Sequence, residues 1–448
     1  MLTSKPDATD TIFALATAPG RAAIAVVRVS GPGARAALER LTGGRLPPAR
    51  RASRRRLVDP ATGEALDDAL AIWFPGPSSY SGEDMAELQL HGGRAVTAGV
   101  VAALGALVGL RPAEPGEFTK RGFLNGRLDL TAAEAVDDLI AADTAAQRRQ
   151  ALRQSEGALA ALYDGWRTRL IRALAHLEAD IDFPEEGLPG HIREQVGREL
   201  EALTADMAAH LDDSGRGERL RDGIHVAIVG APNVGKSSLL NALAHREAAI
   251  VSPIAGTTRD IIEVHLDLAG YPVILADTAG LREAAGGDGI EAEGIRRALA
   301  RAAEADLKIA VFDATVAPDP ATVGLLDANT LVAVNKADLA EPRASVAGHK
   351  VLGISAVTGA GLSELLTALT QDVVERWEAR EAPVLTRAHH RHAVSEAVAA
   401  LRRSRKADLP ELAAEDVRLA ARALGRITGR VDVEDLLDVI FREFCIGK

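Results

Sequence analysis

The sequence predicts a multidomain chain of mixed α+β and α/β class. An α/β domain is inserted into a helical one, and an α+β lobe precedes both. Three observations predict it. Ile224-His225-Val226-Ala227-Ile228-Val229 is a β-branched run that leads into a glycine loop and then a leucine-rich helical stretch, the strand–loop–helix unit of a parallel sheet. Helical periodicity flanks that region: Leu152, Leu159, Leu162, Trp166, Leu170, Leu174, Leu177 and Ile181 recur at helical steps, and the pattern returns from about 388 to 444. Before residue 122, short apolar runs alternate with turn residues, as strands of a smaller lobe do. The expected domains are therefore 1–122, a discontinuous helical domain of 123–220 and 376–448, and an inserted domain of 221–375.

The totals bound the function classes. The 448 residues are 47% hydrophobic and 26% charged, ordinary for a globular protein. The net charge of −11 argues against coating nucleic acid wholesale and leaves room for a local basic patch. One cysteine, Cys445, excludes an internal disulfide framework and fits a reducing cytosol, so a cytoplasmic location is expected. The first residues lack the basic start and apolar block of a signal peptide. The uncharged run between Arg94 and Arg111 is too short to span a bilayer, so a buried helix and no membrane partner are expected.

Taken in order, residues 11–31 read as two strands around Pro19-Gly20. Residues 42–63 read as an exposed loop carrying Arg50, Arg51, Arg54, Arg55 and Arg56, either a solvated cluster or a contact for RNA phosphates. Residues 69–74 and 86–90 read as strands, and 94–110 as a helix on them. A long helix ends at Asp182-Phe183-Pro184, because the residue before proline avoids helical angles. A further helix covers 191–211. His389, His390 and His392 lie too close together on a helix for a convincing zinc site and read as a solvated face, and Trp73, Trp166 and Trp377 read as packing residues.

The chemistry is concentrated in the inserted domain. Gly230-Ala231-Pro232-Asn233-Val234-Gly235-Lys236-Ser237 has the spacing G-x-x-x-x-G-K-S, a loop whose N–H groups and following helix N-terminus cradle phosphates. Lys236 is expected at the β- and γ-phosphates and Ser237 on Mg²⁺, with Val234, Gly235 and Ser238 lining the same site. Asn335-Lys336-Ala337-Asp338 follows an apolar strand. Asp338 is placed to accept two hydrogen bonds from guanine, which adenine cannot return, so GTP is the expected nucleotide. Asn335 braces neighbouring loops or the base, the Lys336 stem covers the base, and Ser355-Ala356 offers a backbone N–H. Asp277-Thr278-Ala279-Gly280 supplies a carboxylate toward Mg²⁺ and a γ-phosphate sensor, and Thr258 a second hydroxyl for Mg²⁺. Segments whose metal and phosphate contacts vanish on hydrolysis are expected to switch. Leu281 stands where Ras-like enzymes carry a water-orienting glutamine, so either one of Glu283, Asp288, Glu291 and Glu293 orients the water, directly or through a second water, or these are solvated loop charges and hydrolysis is slow. Asn233 is either a ligand for a monovalent cation or the cap of an Asn-turn.

These motifs, together with Ala18-Pro19-Gly20-Arg21, Ser79-Tyr80-Ser81-Gly82-Glu83-Asp84, His91-Gly92-Gly93, Pro115-Gly116-Glu117-Phe118-Thr119, the run from Phe123 to Leu130 and Cys445-Ile446-Gly447-Lys448, resemble the MnmE (TrmE) family of tRNA-modification GTPases along the whole chain. The resemblance implies an N-terminal α+β folate-binding lobe, a discontinuous helical domain and an inserted Ras-like P-loop GTPase domain. It implies a homodimer through the N-terminal lobe and a flavoprotein partner, MnmG, that carries FAD. Together such proteins place a carboxymethylaminomethyl-type group on carbon 5 of the wobble uridine of certain tRNAs, with a one-carbon unit from a tetrahydrofolate derivative in its 5-formyl or methylene form. By matched position it implies potassium ligands at Asn233, Ser252, Ile254 and Thr257, and nucleotide contacts across Pro253, Ala255, Gly256, Thr257 and Thr258. It implies a water-serving Glu291 and folate contacts at Arg28, Glu87, Arg127 and Lys448. Arginine at 127 replaces a commoner lysine, and Ser252 a frequent threonine. Cys445 is either a thiolate nucleophile or a small residue beside the folate. A competing class, a ribosome-assembly or RNA-binding GTPase switch without modification chemistry, calls for an RNA module such as a KH fold after residue 375, where the sequence shows helical periodicity instead. A third reading is a folate aminomethyltransferase regulated by GTP.

Overall fold

The computed structural model describes residues 10–182, 190–213, 215–246, 248–250, 263–277, 303–377, 385–431, 437, 440–441 and 444–447. The chain divides into two compact units, one of residues 1–137, 154–178 and 414–448, the other of 138–153 and 179–413.

The first unit is built on β1 (Thr11–Leu15), β2 (Ile24–Ser30), β3 (Ser53–Val58), β4 (Ala65–Phe74), β5 (Met85–His91) and β6 (Leu110–Pro112). They lie in the order β3-β4-β5-β2-β1-β6. The strands alternate, so Val27, Val29, Ala71 and Leu88 reach a core that they share with Leu38 and Leu41 of α1 (Ala34–Leu41) and Val100 and Leu104 of α2 (Arg94–Gly105). The opposite side of the sheet carries Arg28 on β2 beside Glu87 on β5. Two expectations are corrected here. Residues 53–58, read as loop, form the edge strand β3: Arg54 and Arg56 are exposed while Leu57 is fully buried, and three consecutive arginines hid a strand that, among the described residues, pairs with β4 alone. The helix expected over 94–110 stops at Gly105, and the chain returns as β6, parallel to β1.

Then follow α3 (Glu117–Leu124), α4 (Leu130–Ala141), α5 (Ala145–Ser155) and α6 (Ala158–Asp182). The leucine stripe read as one helix is two, because Gly157 adopts a left-handed φ of 87° between them. Leu152 on α5 is therefore exposed, whereas Leu159, Trp166 and Leu170 on α6 are buried. Phe123, Leu130 and Ala133 pack with Leu437, Ile440, Phe441 and Phe444, so the C-terminal segment belongs to this unit's core.

The second unit carries α7 (Gly190–Leu211), α8 (Arg216–Asp222), β7 (Ile224–Val229), α9 (Lys236–Ala244), β8 (Glu263–Leu268), β9 (Tyr271–Asp277), β10 (Leu307–Asp313), α10 (Pro320–Val323), β11 (Thr330–Asn335), β12 (Ser345–Val346), β13 (His349–Gly353), α11 (Leu362–Trp377) and α12 (Ala388–Ser404). Its sheet has the order β12-β13-β11-β10-β7-β9-β8, with β7, β9, β10, β11 and β13 parallel and β8 antiparallel beside β9, the Ras-like arrangement. The interior strand β7 is buried on both faces, which is why it reads as a run of apolar residues interrupted only by the half-buried His225. On α12, His390 is fully buried with Val394 and Ala397 one and two turns on, so it is a core residue and not part of a solvated face. Helix α13 (Pro410–Ile427) follows, burying Val417, Ala420 and Leu424. Among the described residues, no helix is long and apolar enough to cross a membrane.

Candidate functional site

The glycine loop leaves the C-terminal end of β7 and enters α9. This is the edge of a parallel sheet where strands end and helix N-termini converge. Gly235 has φ 94°, and a side chain there would collide with the Asn335 amide, so the loop's approach to β11 requires glycine. Lys236 is buried, and its Nζ donates to the carbonyls of Gly230 and Ala231, both at 2.9 Å, which folds the ammonium over the loop. Ser237 Oγ donates to Asp277 Oδ2 at 2.6 Å. Loop hydroxyl and strand-end carboxylate, expected to serve one cation, thus meet. Two hard oxygens in contact at a phosphate loop suit Mg²⁺. Asn233 and Ser238 are exposed, and Asn233 holds a left-handed φ of 63°.

At the far end of the loop, Asn335 is buried at the end of β11. Its Nδ2 donates to Val234 O at 2.8 Å, and its Oδ1 accepts from the Ala356 N–H at 3.0 Å. It therefore ties the phosphate loop to the segment after β13, the bracing role of the two read from sequence. The same bond engages the Ala356 N–H expected to face the base. The Ser355 N–H donates to Ala360 O at 2.9 Å. Lys336 has φ 64°, and its Nζ pairs with Asp313 Oδ2 at 2.5 Å. Burial pushes the Asp313 carboxyl up, but Lys336 and the Thr315 hydroxyl and N–H outweigh it and hold the group below the ordinary aspartate value. Asp338 is exposed, available to a ligand. Ser252, Pro253, Ile254, Ala255, Gly256, Thr257, Thr258, Thr278, Ala279, Gly280 and Glu291 lie outside the described residues, as does Lys448.

The first unit holds a second polar cluster. Arg28 Nε and NH2 both donate to Glu87 Oε1, at 3.0 and 2.8 Å, across a directly paired position of β2 and β5. Its guanidinium lies 5.2 Å from the Tyr80 ring centre and 5.5 Å from that of Phe118. Arg28 NH1 also donates to the carbonyl of Gly447 at 3.3 Å. The chain's last residues are held there by a bridge between Ile446 and Pro115 and by Gly116 N–H to Cys445 O. Gly447 has φ 99°, and a Cβ there would stand 2.6 Å from Leu15 O, so glycine permits this close docking. Arg127 is exposed, its N–H bonded to Gly122 O. Cys445 is exposed.

The motifs around this cluster hold a charge network that the sequence does not reveal. Arg121, 9% exposed, bonds Asp10, Glu83 and Glu117, while Arg111 bonds Asp10 and Glu117. Glu83 also accepts from Ser30 Oγ at 2.8 Å, next but one to Arg28 on β2. The network clamps α3 and the Tyr80–Glu83 loop to the sheet edge. The sequence carries no local signal for these pairings, whose partners lie up to 111 residues apart.

The family model for the GTP-binding protein TrmE N-terminus matches residues 11–127, and that for the MnmE helical domain matches residues 130–445. The chain is 61% identical over 443 residues to the tRNA modification GTPase MnmE of Paramagnetospirillum magneticum, covering 98% of this chain and 100% of that one. It is 60% identical to that of Rhodospirillum rubrum, covering 98% and 99%, and 59% identical to that of Parvibaculum lavamentivorans, covering 98% and 100%. With identity of this order along both chains from end to end, this protein belongs to the MnmE family of tRNA modification GTPases.

Proposed function

We propose that this protein is a potassium-dependent GTP hydrolase. With the flavoprotein MnmG, which carries FAD, it adds a carboxymethylaminomethyl-type group to carbon 5 of the wobble uridine of certain tRNAs. It acts in the cytoplasm as a homodimer joined through the N-terminal lobe, with domains of 1–122, 123–220 plus 376–448, and 221–375. Lys236 and the loop N–H groups bind the phosphates, and Asp338 selects guanine with Lys336 against its face. Mg²⁺, when bound, neutralises phosphate charge, and Ser237, Thr258 and Asp277 would hold it. Asn233, Ser252, Ile254 and Thr257 would hold K⁺ in the place an arginine finger takes elsewhere. Glu291 orients the attacking water, which Leu281 cannot do.

Arg28, Glu87, Arg127 and Lys448 would hold the tetrahydrofolate derivative, which supplies the one-carbon unit. The chemistry of the donor set fits: cationic groups suit the anionic glutamyl tail, and a carboxylate suits pterin N–H donors. One observation carries this reading. The Gly447 carbonyl accepts from the Arg28 guanidinium, which brings Gly447 to the Arg28–Glu87 pair. The test is nucleoside analysis of tRNA from a strain lacking the gene. Loss of the modified wobble uridine, restored by the wild-type gene, is expected; unaltered wobble uridines refute the proposal.

A further inference from the structure

We infer that the edge strand β3 and the loop before it form a contact surface for the phosphate backbone of the tRNA; this rests on the tRNA-modification reading above. Residues 45–58 contain Arg45, Arg50, Arg51, Arg54, Arg55 and Arg56 and no acidic residue, in a chain whose net charge is −11. Such a concentration of one sign repels itself, and in an acidic protein it sets up a local positive field that attracts an anion. The structure shows the charges left available. Arg54, with 78% of its side chain exposed, reaches Asp68 at 3.5 Å. Arg50 spends a donor on the carbonyl of Ser78, and Arg55 on those of Arg45 and Arg54, contacts that position a guanidinium without neutralising it. Among the described residues, Arg51 and Arg56 are exposed and make no ion pair within 4 Å, and Asp68, across the ladder from Arg56, is the one acid facing this row, shared with Arg54.

Geometry adds to charge. Among the described residues β3 pairs with β4 alone, so it is an edge strand, and Arg54 and Arg56 stand on its exposed face. Arg54 and Arg56 are two apart in a strand, on one face and about 7 Å from each other along it. They form a row of forked donors suited to successive phosphates of a backbone. Such a row carries no base-reading group, so it contributes affinity and placement and no sequence selectivity. A protein partner with an acidic face would use the charge but not the salt law of a polyelectrolyte. Arginines that merely blunt an exposed edge would use neither.

The test uses the full-length protein and unmodified tRNA. The triple variant Arg51→Gln/Arg54→Gln/Arg56→Gln is compared with wild type and with Arg35→Gln/Arg193→Gln/Arg198→Gln, which removes three exposed charges elsewhere, each paired with an acid. Binding is followed by fluorescence anisotropy across a salt series. The β3 variant is expected to bind roughly tenfold or more weakly, and its slope of log affinity against log salt to fall by about 2–3, near 0.7–0.9 per lost phosphate contact. The control triple keeps the wild-type slope, and GTP turnover is the same in all three. Equal slopes for the β3 variant and wild type overturn the inference. So does self-association of the β3 variant with intact tRNA affinity, which assigns the arginines to edge protection. Absence of tRNA binding by wild type also overturns it, while leaving the modification reading to the nucleoside analysis.

Discussion

Asp338 and Asn233 are both exposed at the rim of the nucleotide cradle, and each role proposed for them has a readout of its own. A carboxylate accepting two N–H bonds from guanine is worth about 1.5–3 kcal/mol per charge-assisted bond. Asp338→Asn is thus expected to weaken GTP binding by roughly a hundredfold or more and to favour xanthosine triphosphate, whose base offers the complementary acceptor. Competition binding of the two nucleotides measures this, and unchanged GTP preference removes Asp338 from base recognition. Asn233 already holds a left-handed φ, which suits an Asn-turn as well as a ligand. The cation separates the two: replacing K⁺ by Na⁺ is expected to slow GTP hydrolysis at least tenfold in wild type, with little further effect in Asn233→Ala. Equal turnover in the two salts leaves Asn233 a structural turn residue. Asn335 is a different kind of residue. Both ends of its amide are spent inside the protein, so its contribution is to keep the loop and the post-β13 segment in register.

Helix α3 is anchored by ion pairs, and the first unit is therefore expected to be acid-sensitive. Burial pushes the Glu117 carboxyl up, but Arg111, the Glu114 N–H and Arg121 together carry it below the ordinary value. Asp10 is likewise raised by burial and lowered further by Arg111 and Arg121. A carboxylate depressed in the folded state stabilises it fully above the unfolded pKa, and that stability is lost as pH falls through the folded value. The window therefore opens near pH 4.5 and extends below. Glu117→Gln is expected to lose about 2 kcal/mol at neutral pH, less than a fully buried pair because Arg111 is 41% exposed and screened. The gap to wild type narrows as pH falls below about 4.5 in denaturant titrations; a constant gap means that the network is not titrating. Elements of this kind were poorly legible in the sequence. Strand β7 and the phosphate loop could be read because their pattern is local: a β-branched run, two glycines, a lysine and a serine. The sheet register that sets Arg28 against Glu87, 59 residues apart, has no local signature. Family resemblance named those two residues, whereas the partners of Arg121 appear only when the fold brings Asp10, Glu83 and Glu117 together. β3 was missed because arginines occupy the positions that a half-buried strand would show as merely polar, and Leu152 was misplaced because its spacing carries across a left-handed glycine.

At the scale of the molecule, the first unit contains residues from both ends of the chain, and the nucleotide cradle lies in the second. The terminal segment is part of the first unit's construction: Phe441 and Phe444 are core residues, and Ile446 and Gly447 dock against Pro115, Leu15 and Arg28. No residue of 445–448 belongs to the phosphate loop, the N-K-x-D segment or Asp277. Removing residues 445–448 should therefore separate the two chemistries. The truncation deletes the carbonyl that accepts from Arg28 and the proposed Lys448 contact, while leaving the aromatic anchor at Phe441 and Phe444 in place. One or two charge-assisted contacts correspond to a roughly tenfold to hundredfold loss of affinity for a tetrahydrofolate derivative, measurable by calorimetry with 5-formyltetrahydrofolate. GTP turnover in potassium should stay within about twofold of wild type, because the groups that bind phosphate, metal and base are intact. Modified wobble uridine in a strain carrying only the truncated gene should fall toward the level of the deletion. If folate affinity is retained, the tetrapeptide is a structural clasp and the folate site lies elsewhere. If GTP turnover collapses as well, the tail acts on the nucleotide cradle, and the assignment of the two activities to separate parts of the chain is wrong.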